Sequence, residues 1–277
     1  MTKRPRDHKR AVCLAVVFVS LACLLYMELA PAVGLPEIRF SSDETMQRLV
    51  YMSLTRLLGA AAFLAVLITL GYRVLNPLRK PFGKALVFCI PAFLVAVNNA
   101  PLLGLATGTV YFTHTGWYLF WFIVECVAIG AFEELAFRGT VLLMITEKRR
   151  RTTGDLVIAI LLSSAVFAVV HMVNLLVGAD PGAVFLQIGY SFLIGAMCAV
   201  VLFKTANIWL CVLLHAVYDF GGNIAEVAHT AGRWDRFTMI LTAVLAVCVI
   251  VIMLIGLLRI KPEELGRIYE KKKKLDA

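Results

Sequence analysis

An all-α membrane protein, a polytopic bundle of about eight transmembrane helices with both termini cytoplasmic, is the fold class the sequence predicts. Three observations lead there. The chain of 277 residues is 61% hydrophobic and 16% charged, whereas soluble domains run at roughly 45–50% apolar and about 25% charged. Apolar stretches of about 20 residues, enough to cross a bilayer, recur along its length. Lysines and arginines collect in alternate loops, the pattern of residues retained on the cytoplasmic side.

Eight stretches qualify, near 11–29, 57–75, 84–105, 117–146, 156–177, 183–203, 206–222 and 237–258. The first follows Lys3, Arg4, Arg6, Lys9 and Arg10, as a signal peptide would. Its apolar run exceeds an h-region and no small-x-small site follows it, so it reads as a retained helix. The second is preceded by a polar stretch, 30–48, in which Ser41-Ser42-Asp43 before Glu44 reads as the cap of a short interfacial helix leading into the span. Basic residues mark the N-terminal tail, the 73–84 loop (Arg73, Arg79, Lys80, Lys84), the 147–155 loop (Lys148, Arg149, Arg150, Arg151) and the tail from Arg259 to Lys274. The opposite loops hold Arg39 with Arg48, then none in 106–116 and 178–182, then Arg233 with Arg236. That alternation fixes the expected orientation.

The net charge of +9 is explained by these membrane-edge residues, which meet anionic lipid at about 1 kcal/mol each. It calls for no nucleic acid, and the run Lys271 to Lys274 reads as a membrane-surface tail. Cys13, Cys23, Cys89, Cys126, Cys198, Cys211 and Cys248 all fall in expected spans without CxxC spacing. They read as apolar packing residues, not as disulfides, metal ligands or nucleophiles. No internal repeat or soluble domain is visible.

The fourth stretch contains an anomaly, since Glu133, Glu134 and Arg138 interrupt it where hydrocarbon should surround the helix. Each such charge costs roughly 2.5 to 3.5 kcal/mol at a helix centre, so three in six residues require partners and a function. On an α-helix Glu134 and Arg138 are i and i+4 and can neutralise each other. Glu133 points about 100° away and is left without a local partner, the condition of an acid free for proton transfer.

Two later spans add histidines in Phe167-Ala-Val-Val-His171 and His215-Ala-Val-Tyr-Asp219. At 1.5 Å per residue Glu133 lies roughly 20 Å, and His171 roughly 24 Å, from the cytoplasmic ends of their spans, so their depths match. His215 lies only about 14 Å from Ala206 by the same rise, a mismatch unless the 203–206 turn dips into the membrane. Asp219 stands i+4 from His215 and could fix the tautomer of its imidazole. Asn174 is expected either to support this site or to bind a neighbouring helix. Glu125, Asn98 and Asn99 read as polar links between helices.

These three motifs, in order, resemble the CAAX prenyl protease and bacteriocin-processing (CPBP) intramembrane peptidases, related to the type II CAAX prenyl endopeptidases. Two glutamates, three residues and an arginine stand as Glu133-Glu134-Leu-Ala-Phe-Arg138; Phe-x-x-x-His stands as Phe167 to His171; His-x-x-x-Asn/Asp stands as His215 to Asp219. The resemblance divides the chain into N-terminal helices (1–116), a CPBP-like catalytic core (117–223) and a last helix with its basic tail (224–277). It implies an intramembrane endopeptidase in which Glu133 and His171 activate water, His215 and Asp219 stabilise the oxyanion, and Glu134 with Arg138 shapes the site. Asp219 departs from relatives carrying Asn, since an ionised carboxylate cannot donate a hydrogen bond.

The residues leave the question of metal open between two forms. No cofactor is the favoured form, and the alternative is zinc held by Glu133, His171 and His215 with a water in the open position. A rhomboid-type serine is not indicated, because Gly189-Tyr190-Ser191-Phe192 lacks a glycine after Ser191, and no Gly-x-Gly-Asp motif occurs. The expected partners are the lipid bilayer and a membrane-associated or lipidated, CAAX-like peptide or protein, with no nucleic acid. The expected location is a bacterial plasma membrane. Against the enzyme stand a non-proteolytic bacteriocin-immunity or scaffold protein, which the resemblance also admits, and a transporter, which the absence of a duplicated half disfavours.

Overall fold

The computed structural model describes residues 5–29, 38–75, 82–149, 152–230, 236–260 and 265–269. It is 83% helical, and many large apolar side chains are exposed, among them Phe237, Val247 and Leu258 on the last long helix. Such a surface is at odds with water and suits a lipid solvent. The protein is an all-α membrane protein.

Helix α1 spans Pro5–Leu29 and α2 spans Glu44–Leu70. Among the described residues no separate interfacial helix precedes α2: Asp43 caps α2 itself, accepting from the Met46 amide at 2.8 Å. It stops at Gly71, whose φ of +75° is the left-handed conformation that a glycine adopts without strain. Helix α3 (Phe82–Asn98) carries Pro91 inside it, and a short α4 (Leu102–Thr107) follows after Pro101.

Helix α5 (Trp117–Glu133) continues directly into a π-helical segment, Glu134–Leu142, and then into α6, Leu143–Arg149. The sequence pattern suggests one regular helix over 117–146. Instead, the part containing Glu134 and Arg138 is wound with i→i+5 bonding, a wider turn often met at functional sites. Helix α7 (Thr153–Val170) opens with a capping box between Thr152 and Asp155 and closes in a 3₁₀ turn, His171–Leu175.

Helix α8 (Pro181–Thr205) and α9 (Ile208–Gly222) are joined through Ala206 and Asn207, and the Asn207 side chain caps α9. This connection is buried rather than superficial. Asn207 is 4% exposed and Ile208 is fully buried, because the Ile208 amide donates to Val74 O at 3.0 Å and Arg267 covers the end of α8 through Phe203 O and Lys204 O. Helix α10 (Arg236–Leu258) and a short α11 (Gly266–Tyr269) complete the chain. Two short strands, β1 (Tyr111–Phe112) and β2 (Ala228–His229), pair antiparallel.

Among the described residues, four helical stretches are long and apolar enough to cross a membrane: Glu44–Leu70, Thr153–Leu175, Pro181–Thr205 and Arg236–Leu258. The apolar stretches in α1, α3 and α9 are shorter. The main core joins α2, α5 to α9 and α10, with Phe63, Leu67, Leu135, Phe167, Leu202 and Leu214 at its centre. Helices α5 and α9 cross closely at Gly130, where a β-carbon would lie 3.0 Å from Val212 O and 3.3 Å from His215 Cβ. That contact places His215 against the acids.

Candidate active site

Glu134 is fully buried and Arg138 is 1% exposed. Their side chains form the expected pair, Glu134 Oε1 lying 3.0 Å from Arg138 Nη1, although the angle is not that of a hydrogen bond and neither terminal guanidinium nitrogen makes one. Arg138 is held instead by its surroundings. Its guanidinium lies 4.2 Å over the Phe167 ring, and Nε donates to Gly195 O at 3.4 Å. A β-carbon at Gly195 would stand 2.8 Å from Arg138 Nη2 and 3.2 Å from Phe167, so glycine there makes room for the cation.

His215 gathers the acids. Its Nδ1 is 2.8 Å from Glu134 Oε1, while Nε2 is 3.4 Å from Glu133 Oε2 and 3.6 Å from Asp219 Oδ2. Glu133 is therefore not partnerless: the imidazole presents one nitrogen to each glutamate, and the π segment turns less per residue than an α-helix, so neighbouring side chains there diverge less. The depth mismatch expected for His215 disappears for a related reason. The buried α8–α9 turn starts α9 inside the protein, and Gly130 lets it approach α5.

His171 begins the 3₁₀ turn that ends α7. Its Nδ1 is 2.9 Å from Phe167 O. A carbonyl can only accept, so Nδ1 carries the proton and Nε2 of the neutral ring keeps its lone pair. Phe167 is the shared wall of the site, edge-on to both imidazoles with ring centroids 5.0 Å from His171 and 6.0 Å from His215.

Glu133, His171, His215 and Asp219, from three different helical stretches, line one cavity of about 290 Å³, near the lower end of ligand pockets at roughly 300–1,000 Å³. Glu134 and Arg138 lie behind that wall, not on it. Residues that the motifs do not mark also face it: Arg56 from α2, Gln187, Tyr190 and Ser191 from α8, and Tyr218 and Asn223 at the end of α9. Arg56 and Asn223 had a readable signal, a charge and an amide beside apolar runs; nothing in sequence ties Arg56 to the histidines, whereas Asn223 stands eight residues after His215. Asn174 does both things expected of it, lining the cavity and donating to Gln187 at 2.8 Å. Asn98 and Asn99 link helices, to Thr242 Oγ1 and Tyr218 O, each at 2.7 Å.

A second, apolar cavity of about 370 Å³ lies between α7, α8 and α10 and shares Tyr190, Ile194 and Tyr218 with the first. Among the described residues, no three histidine, cysteine or acidic side chains form a group that could hold a metal ion.

Residues 115–221, from just before α5 almost to the end of α9, match the family of type II CAAX prenyl endopeptidase Rce1-like proteins. No curated protein and no solved structure matched the chain. The matched segment contains Glu133, Glu134, Arg138, His171, His215 and Asp219. Residues 115–221 of this chain thus resemble an Rce1-like domain, a likeness that supports a CPBP-family membrane protease.

Proposed function

We propose that the protein is an intramembrane endopeptidase that hydrolyses a peptide bond of a membrane-associated or lipidated, CAAX-like substrate, using water activated by glutamate and histidine without a metal. The observation that carries this reading is the convergence of Glu133, His171, His215 and Asp219 on one cavity inside a bundle with an apolar exterior. In the proposed arrangement eight spans cross a bacterial plasma membrane with both termini cytoplasmic, and residues 117–223 form the catalytic core.

Water between Glu133 and His171 attacks the carbonyl carbon, its proton passing to the Glu133 carboxylate or to His171 Nε2. The developing oxyanion is met by Nε2–H of His215, whose ring acts as the imidazolium, with Nδ1–H donated to Glu134. Glu134, 2.8 Å from Nδ1, holds that ring in position, and the Arg138 guanidinium lies against Glu134 behind the wall. Collapse of the tetrahedral intermediate breaks the C–N bond, and the proton taken from water goes to the leaving amine. Asp219 Oδ2, 3.6 Å from His215 Nε2, orients the ring rather than binding the oxyanion.

The deciding experiment compares new peptide termini across the membranes of cells carrying the native chain and cells carrying Glu133→Ala at equal abundance. Termini that vanish in the variant would establish proteolysis and identify the substrate. Identical sets, in conditions where the variant rescues a deletion phenotype, would replace the enzyme with a scaffold or immunity role.

A further inference from the structure

A proteolytic cavity of this kind needs hydrogen-bond donors aimed at the position where negative charge develops. The motif residues on the wall supply mostly acceptors: Glu133 and Asp219 are carboxylates, and His171 presents the nitrogen that accepts. The Asn174 amide is engaged with Gln187. His215 Nε2 is one donor, and tetrahedral intermediates are held better by two.

Resting on the proteolytic reading, we propose that the side-chain amide of Asn223 is the second oxyanion donor of this protein, a catalytic role that Asp219 cannot fill while ionised. Residues 215, 219 and 223 follow each other at i, i+4 and i+8, so they form a ladder along one face of α9. All three line the cavity. The Asn223 side chain makes no hydrogen bond with the described residues, whereas its backbone is fixed at both ends: its N–H donates to Asp219 O at 2.8 Å, and its carbonyl accepts from Glu226 at 3.0 Å.

The backbone around it is anchored on three sides. Gly221 lets the end of α9 press against the α3–α4 turn, where a β-carbon would lie 2.4 Å from the Ala100 amide nitrogen. Asn99 donates to Tyr218 O at 2.7 Å, and Glu226 is ion-paired to Arg48 of α2. An amide without a hydrogen-bond partner among the described residues, on a rigid frame at a cavity wall, is what preorganised stabilisation of a developing charge requires.

The test uses the full-length protein in proteoliposomes, with an internally quenched S-farnesylated CAAX-type peptide as substrate and the matching peptide aldehyde as inhibitor. Asn223→Ala and the near-isosteric Asn223→Asp should each lower kcat by about 10²–10³-fold with KM little changed. Affinity for the aldehyde, whose hydrate mimics the tetrahedral intermediate, should fall in parallel with kcat. Asp219→Asn, which places an amide one turn earlier, should recover activity in the Asn223→Ala background. If the native protein cleaves, Glu133→Ala does not, and both Asn223 variants keep the native kcat, the donor role is overturned and proteolysis stands. If Glu133→Ala cleaves as fast as the native chain, both readings fall together.

Discussion

Two groups of buried charge sit on α5 about two turns apart, and only one of them looks like chemistry. Around Glu125, which is 3% exposed, the partners are Arg48, with Nη1 at 3.6 Å, and through Arg48 also Glu226. This group ties α2, α5 and the turn after α9 together. It contains no histidine, and Glu125 and Arg48 are not on the cavity wall. Around Glu134 the same pairing of acid with arginine is extended by His215 to Glu133 and Asp219, and three of these side chains open onto a cavity. Buried charge in a membrane helix is therefore an incomplete marker of function. The discriminating property is a charged pair whose surplus acid reaches a titratable ring at a cavity.

The contrast can be broken most decisively at the two acids. Glu133→Gln is expected to lower kcat by about 10²–10⁴-fold, the usual contribution of a general acid or base, while Glu125→Gln leaves kcat unchanged. Equal losses in a peptide-cleavage assay would erase the distinction. Next in size is Arg138→Met, which strands Glu134 in the core and should destabilise the fold by about 3–5 kcal/mol in a denaturant titration in mixed micelles. Gly130→Ala forces a methyl group against Val212 O, and overpacking of this kind should cost about 1–3 kcal/mol. It should also slow cleavage by moving His215. Arg48→Ala sharpens the comparison from the other side: its own side chain is 43% exposed, but its loss takes a partner from the buried Glu125 and should cost about 1–3 kcal/mol with kcat unchanged. Smallest of all is the effect of a zinc chelator on the purified protein, expected to be nil; loss of cleavage restored by added zinc would assign a metal to the site.

The three motifs made the family and most of the site legible, because each combines polar types that hydrocarbon excludes, such as Glu133-Glu134 with Arg138. What stayed hidden was set by long-range contact. Arg48 and Arg56 push the apolar run of the second span to residue 57, yet α2 begins at Glu44, since Asp43 caps it and Arg48 finds Glu226 across 178 positions of chain. The His215–Glu133 pairing was equally unreadable. It depends on the missing side chain of Gly130 and on a turn at Asn207 whose burial comes from Val74 and Arg267. Nothing in Glu134–Leu142 announces i→i+5 winding, because the same residues suit an α-helix.

That π segment has an inheritance consequence. It holds more residues per turn than the helices on either side, so its chain length is itself part of the site's specification. Deleting one residue, Ala136 for example, would let the backbone relax into a continuous α-helix with its hydrogen bonds and apolar character intact. The wide turn that lets Glu133 and Glu134 both reach His215 would then be lost. Descendants of this gene are therefore expected to keep the length of this segment as well as Glu134 and Arg138.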